Sequence, residues 1–236
     1  LGHLEGGGLL ASQPVRVHRV DHGHVMAGRE LADQFEAVVE VAVHRQHPGE
    51  QAGVGAGVLR RDAAMMNRVS GDRLRHELER ILEEERPEKV FYRAERLGVL
   101  RQLDPSLKGN GWLAERFEQA RQWSGGSKPE PVIYLALLVW RLSETELKTF
   151  MEHLRFGGDI ARVLKDVTSI KQVIPALVAP ELKPSEIYHL LEHHRPQALQ
   201  AAVLAMDDGL VRQRLELYLS NLRFIAPSLT GDDLKK

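Results

Sequence analysis

The sequence predicts an all-α fold, a bundle of short helices preceded by a poorly structured segment rich in glycine and histidine. From about residue 67 onward, apolar residues recur every three to four positions, as on the buried face of a helix. Proline, serine and glycine stand where such helices would begin or end. No stretch of this region alternates apolar and polar residues as a half-buried strand does.

Residues 1–66 have a different character. They hold ten of the 20 glycines and six of the 11 histidines, and the first lysine of the chain is Lys89. Only residues 29–43 suggest an element, a short helix that continues into a strand-like stretch. Three interpretations stay open for this segment: a disordered tail, a non-native segment such as a shifted reading frame, or a functional module.

Capping residues predict the first two helices. Ser70 is placed to cap a helix, and Pro87 is placed to open the next one. Gly98 can end that second helix in a left-handed conformation, with Val99 folded back on Ala94. The apolar positions of the first helix are spaced i, i+4, i+7 and i+8: Leu74, Leu78, Ile81 and Leu82.

Further helices follow along the chain. The stretch 131–142 is apolar on nearly every side, which predicts a central helix. Ser143 and Glu146 form a capping box for the helix after it. The remaining helices are predicted around Trp112, Phe117 and Ala120, over 160–170, after Pro184 and Pro196, and over 210–222.

Composition limits the classes of function. Hydrophobic residues make up 43% of the chain, enough for a sizeable core, and the net charge of −1 excludes a polybasic nucleic-acid binder. Any RNA contact must therefore come from a local patch. The lack of cysteine excludes disulfides and thiolate metal sites and fits a cytoplasmic protein. No apolar run reaches the roughly 20 residues of a membrane helix, so no membrane partner is expected.

Two motifs carry a resemblance to a known family. Residues 69–82, VSGDRLRHELERIL, followed by LGVLRQLDP at 97–105, resemble the neck of bacterial tRNA nucleotidyltransferases and related poly(A) polymerases. LTGDDLKK at 229–236 is similar to the opening of the family's tail, so the natural protein is expected to continue. The resemblance implies a neck-like RNA-binding domain at 67–126, and a helical body with a truncated start of the tail at 127–236.

The resemblance also implies chemistry that this chain does not carry. Family members hold the tRNA acceptor stem with neck, body and tail, and a separate head uses ATP or CTP with Mg²⁺. That head needs an Asp-x-Asp pair on a strand, where alternate residues point the same way. No such pair exists here, and the Glu-x-Glu pairs at 77/79, 83/85 and 144/146 fall on predicted helices. We therefore expect no catalytic residue and no metal site, and no nucleotide transfer by this chain alone.

Candidate RNA-binding residues follow from the neck motif. Arg73 and Glu77 stand at the family's arginine and glutamate positions, so Arg73 can face a phosphate with Glu77 holding it. The alternative is a solvated i, i+4 ion pair. Residues 68–126 carry 12 Lys/Arg against 11 Asp/Glu, so a solvated, nearly neutral surface is also open. Further candidate phosphate contacts are Arg75, Arg80, Arg93, Arg96, Arg101 and Lys108.

Other motifs are weaker. Trp112 and Trp123 can stack on an unpaired 3′ end, but core packing is the favoured role for both. The pair His193-His194 is expected to lie exposed at a helix end. Two N-terminal motifs, the histidines at 18, 22 and 24 and the glycine-rich stretch 53–57, lack the scaffold that a metal or dinucleotide site requires.

Three functions are compatible with these observations. The first is the RNA-binding part, for a tRNA 3′ region, of a nucleotidyltransferase-like protein that supports CCA or A addition by a head missing here. The second is a remnant or gene fragment without function. The third is a helical protein-interaction module. A basic surface continuous with Arg73 would favour the first, a neutral surface the second, and a large exposed apolar patch the third. Oligomeric state stays open.

Overall fold

The computed structural model describes residues 70–225, and within them the regular secondary structure is entirely helical. The predicted all-α class is therefore confirmed. The segment 1–66 and the tail-like motif at 229–236 lie outside the described residues. The helices are α1 Gly71–Leu82, α2 Pro87–Leu97, α3 Leu100–Leu103, α4 Gly111–Trp123, α5 Pro131–Val139, α6 Glu144–His153, α7 Gly158–Leu177, α8 Pro184–Leu191, α9 Pro196–Ala205 and α10 Gly209–Ser220, followed by a 3₁₀ turn Leu222–Phe224.

The helix α5 lies at the centre of the bundle. Every side chain from residue 133 to 139 is buried, as its uninterrupted apolar sequence predicts. It packs against α9, whose buried residues from 198 to 205 are mostly alanine and leucine, and α9 in turn contacts α7 and α10. Small side chains on α9 allow this dense contact with three neighbours.

The helix α1 packs its predicted apolar stripe into the core and fixes its first turn against the end of α6. A Cβ atom built on Gly71 would meet the backbone oxygen of His153, so only glycine permits this approach. Arg75 donates a hydrogen bond of 2.9 Å to the carbonyl oxygen of Arg155. Arg155 in turn forms an ion pair of 2.8 Å with Asp72.

Most predicted helix starts agree with the structure, but α5 ends at Val139 rather than at residue 142, and three further corrections are needed. Gly98 has φ 76°, and the N–H of Val99 donates to the carbonyl of Ala94 at 3.0 Å, as expected. Ser70 occupies the N-cap position, but its side chain makes no capping hydrogen bond. The pair Glu83/Glu85 lies in the turn after α1 rather than on a helix, and the short helix α3 was not predicted.

No helix within residues 70–225 is long and apolar enough to cross a membrane.

Glu146, at the start of α6, is hydrogen-bonded to the loop between α3 and α4, and this contact predicts a pH effect. Its carboxylate accepts hydrogen bonds from the hydroxyl of Ser106 at 2.6 Å, and from the backbone N–H and hydroxyl of Ser143, both at 2.8 Å. These bonds, with Ser106 first, lower the pKa of Glu146 to about 2. The stability that these bonds give the folded chain is present at pH values above the ordinary carboxyl pKa. It is lost as the pH falls through the lower pKa that Glu146 has in the folded chain.

We therefore expect Glu146→Gln to lower the urea midpoint near pH 7, with the difference from the parent chain shrinking between about pH 4.5 and pH 2. Glu118, an exposed residue of α4, provides the control, because Glu118→Gln should leave the midpoint nearly unchanged throughout. A constant difference between parent and Glu146→Gln across this pH range would contradict the assignment.

Candidate nucleic-acid interface

The charges of α2 are separated onto two sides of the helix. Glu88 forms a bidentate ion pair with Arg121 of α4, with N–O distances of 2.8 and 2.9 Å. Glu95 accepts a hydrogen bond of 3.3 Å from the backbone N–H of Gly109. Both acidic side chains of this helix are therefore engaged by the neighbouring α4 and the loop before it.

The adjoining flank of α2 carries cations around one aromatic ring. Tyr92 is 54% exposed, and the guanidinium carbon of Arg96 lies 5.9 Å from the centre of its ring. Lys89 is also exposed, and Arg93 is half-buried. The spacing i, i+3, i+4 and i+7 places these side chains in one stripe. We call this stripe, Lys89, Tyr92, Arg93 and Arg96, the α2 basic face.

The α2 basic face has the groups that polynucleotides require. Within residues 70–225, none of its three cations forms an ion pair with a carboxylate. Lysine and arginine neutralise phosphates, while an exposed tyrosine ring can stack on a base or hold an arginine by cation–π attraction. Arg101 and Lys108, which follow α2 in the chain, are exposed as well. The arrangement therefore fits an RNA backbone with an accessible base.

The α1 candidates lie on two different flanks. Arg73, Glu77 and Arg80 share one flank by their spacing, and Arg75 lies on the other. Glu77 pairs with Arg80 at 3.2 Å and not with Arg73, so the expectation that Glu77 holds Arg73 is wrong. The order of charges explains the difference, since a glutamate preceding its cation is the favourable one. Arg73 is half-buried and has no ion pair within the described part of the chain.

Arg75 acts in docking α1 rather than in binding a ligand. Its guanidinium donates to the carbonyl of Arg155 and lies 3.5 Å from Asp72 and 3.7 Å from Glu79. These partners engage its charge within the fold. A role as phosphate contact, which the sequence suggested, is therefore not the role that these contacts favour.

The two tryptophans have different environments. Trp112 packs against the core, and the guanidinium carbon of Arg141 lies 4.2 Å from its ring centre. Trp123 is 42% exposed, so the expected core packing is wrong for this residue. The buried side of α4 carries Leu113, Phe117 and Ala120, and Trp123 falls beside this stripe at the end of the helix.

Sequence reasoning missed two residues of the interface and misjudged one histidine. Lys89 and Tyr92 were not singled out, although their spacing from Arg93 and Arg96 on a capped helix was readable. His194 is half-buried rather than exposed, with its ring nitrogens near the hydroxyl of Ser169 at 3.1 Å and the carbonyl of Leu191 at 3.4 Å. Burial lowers the pKa of this imidazole.

Within 70–225, no three histidine, aspartate or glutamate side chains gather closely enough to hold a metal ion.

Comparison with a protein family places the α2 basic face inside a matched segment. A family model described as "Probable RNA and SrmB- binding site of polymerase A" matches residues 57–109. A curated relative, the A-adding tRNA nucleotidyltransferase of Geobacter sulfurreducens, is 28% identical over 185 residues. The match covers 72% of this chain and 21% of the relative, so the chain spans about a fifth of that protein's length.

Solved structures share the fold. The Thermotoga maritima CCA-adding enzyme complexed with tRNA has a TM-score of 0.63 and 16% identity, covering 90% of this chain and 53% of that one. A CCA-adding enzyme with CTP has a TM-score of 0.61 and 18% identity, covering 83% and 48%. A tRNA-processing enzyme in an apo form has a TM-score of 0.63 and 16% identity, covering 90% and 58%.

Proposed function

We propose that this chain, which in its helical part is a relative of the tRNA nucleotidyltransferases and poly(A) polymerases, binds the 3′ region of an RNA. The RNA of this proposal is a tRNA, and the chain supports CCA or A addition by a head domain outside the described helices. In this proposal ATP or CTP and Mg²⁺ belong to that head, and the protein works in the cytoplasm.

The observation that carries the proposal is the segregation of charge on α2. The chain as a whole has a net charge of −1, so bulk attraction to RNA is excluded. On α2, both carboxylates are engaged by α4 and the loop before it, and Lys89, Arg93 and Arg96 remain with an exposed tyrosine among them. A neutral surface would have favoured a functionless remnant, so this segregation of charge favours RNA binding.

A protein-interaction module is the second candidate. An open groove of about 770 Å³ lies between α6 and α7, and its apolar lining includes Leu147, Met151, Phe156 and Ala161. Such a groove can accept an apolar side chain of a partner. The exposed large apolar residues of the described region, in contrast, are scattered over several elements.

The salt dependence of RNA binding tests the proposal. We expect the full chain to bind a tRNA-like hairpin with an affinity that falls steeply between about 50 and 200 mM KCl. The triple variant Lys89→Ala/Arg93→Ala/Arg96→Ala should reduce the slope of log K against log salt by about 2 to 3, because each lost phosphate contact contributes slightly less than one. Fluorescence anisotropy at several salt concentrations measures both quantities.

A control variant removes the same number of positive charges from another part of the surface. Lys148→Ala/Arg162→Ala/Lys165→Ala removes three exposed cations of α6 and α7. This control should leave the slope within about 1 of the parent value. Equal losses in the two triple variants, or salt-independent binding by the parent chain, would contradict the proposal.

A further inference from the structure

Trp123 stands between two clefts at the far end of α4. An open cleft of about 660 Å³ forms where α4, α9, α10 and the 3₁₀ turn meet. A second cleft of about 320 Å³ lies beside the loop that leads into α5. Both clefts are lined by Trp123, Gln200 and Leu204, so the indole of Trp123 separates one cleft from the other.

The polar side chains of the larger cleft include two amides without a partner. Within the described residues, the side chains of Gln122 and Gln200 make no hydrogen bond, whereas Gln119 is engaged by Arg116 and Glu115. Each free amide offers both a donor and an acceptor. Beside an indole that is 42% exposed, these groups match a flat, polar-edged ring.

One cation of this cleft is available for a ligand. Arg212 is paired with Glu216 at 3.0 Å. Arg223 is exposed, lies with its guanidinium carbon 4.4 Å from the ring centre of Phe224, and has no ion pair within residues 70–225. Its guanidinium can therefore meet an anionic oxygen at the mouth of the cleft.

The helix that carries Trp123 is tied to the helix of the α2 basic face. The bidentate ion pair between Glu88 and Arg121 joins the first turn of α2 to the last turn of α4. Glu88 precedes Lys89 of the α2 basic face, and Arg121 lies two residues before Trp123. Because residues two apart lie on different sides of a helix, Trp123 faces away from this ion pair, and the cleft is a surface separate from the α2 basic face.

We infer that this cleft binds one unpaired nucleotide of the RNA that the chain holds. The base stacks on the indole of Trp123, the amides of Gln122 and Gln200 bond its edge, and Arg223 contacts its phosphate. The inference rests on the proposed RNA-binding function and adds a site for a single-stranded element that the α2 basic face does not require.

Two hairpins with the same stem test this site. One is blunt, and the other carries a single-stranded 3′ extension containing 2-aminopurine, whose fluorescence is quenched when it stacks on an aromatic ring. The full chain should bind the extended hairpin more tightly and quench the probe. Trp123→Ala should weaken binding of the extended hairpin on the order of tenfold and abolish the quenching, because one base–aromatic stack is lost. Trp123→Phe keeps a ring and should retain most of both.

The blunt hairpin separates this inference from the proposed function. Its affinity should be unchanged in Trp123→Ala and reduced in the triple variant of the α2 basic face. If Trp123→Ala still binds the extended hairpin more tightly than the blunt one and still quenches the probe, the inference alone is overturned. An equal loss of affinity for both hairpins in Trp123→Ala overturns it as well. A parent chain that fails to bind the blunt hairpin overturns the proposed function. In that case the single strand that carries 2-aminopurine, without the hairpin stem, tests the cleft by itself. Absence of quenching would overturn the inference too.

Discussion

Replacing Arg214 with alanine is expected to lower the free energy of unfolding by about 3 kcal/mol. Arg214 lies on α10 and is only 7% exposed. Its guanidinium donates to the carbonyl oxygens of Leu177 and Ala179, both at 2.6 Å, and of Pro180 at 3.2 Å. The side chain therefore satisfies the last carbonyl of α7 and two carbonyls of the turn that follows, and it places a positive charge at the negative end of that helix.

The loss arises mainly at the end of α7. Without the guanidinium, the buried carbonyl of Leu177 loses its charged hydrogen-bond donor. At the more exposed carbonyls of Ala179 and Pro180, water can take the place of the donor. Arg214→Met retains an apolar stem and should lose somewhat less than alanine, which also leaves a cavity. Urea unfolding of both variants, with amide exchange near residue 177, measures the global and the local effect.

Arg212 is the matched control on the same helix. It is partly exposed and pairs with Glu216 at i+4, so Arg212→Ala should change the free energy of unfolding by no more than about 0.5 kcal/mol. Equal losses for Arg212→Ala and Arg214→Ala would show that the three carbonyl contacts contribute nothing specific to stability.

Gly109→Ala is expected to destabilise the chain by about 2 kcal/mol and to weaken RNA binding as well. A Cβ atom at this position would lie 2.1 Å from the carbonyl oxygen of Phe91 and 2.5 Å from its carbonyl carbon. These are backbone atoms of a helix whose Phe91 ring is buried against Phe117, so no flexible side chain can move aside. The helix α2 must shift, and Tyr92 shifts with it.

Gly111 supplies a control two residues away. A Cβ atom there meets nothing within 4 Å, and the residue occupies the first turn of α4. Gly111→Ala should therefore be neutral or stabilising by up to about 1 kcal/mol and should leave RNA affinity unchanged. Thermal or urea unfolding, together with hairpin binding, compares the two alanines. Similar effects of the two substitutions would contradict the assigned close approach of Gly109 to α2.

Much of the fold was predictable because its determinants are local. The cap at Gly98 and the capping box of Ser143 and Glu146 rest on hydrogen bonds between residues three to five positions apart. The central position of α5 follows from a segment that has no polar face to turn towards water. The short helix α3 was missed, because its single turn is too brief to show a period.

The candidate site was only partly predictable. The motif around residue 73 directed attention to α1, yet the surface best suited to RNA lies on α2, with Tyr92 at its middle. Arg75 and Arg96 are equally plausible in sequence, but the first is engaged by a carbonyl 80 residues away and the second remains in solvent. No local pattern distinguishes these two outcomes.

The sequence by itself determined the helical class, most helix starts and the motifs that resemble the neck of the tRNA nucleotidyltransferases. Only the tertiary structure decided which charges face outward. Glu88 pairs with Arg121, which lies 33 positions later in the chain, so this carboxylate is engaged by α4 rather than by Lys89. Trp123 is likewise left in solvent by the way α4, α9 and α10 meet. Helix formation depends on neighbours in the chain, whereas the exposure and pairing of a side chain depend on distant segments that folding brings beside it.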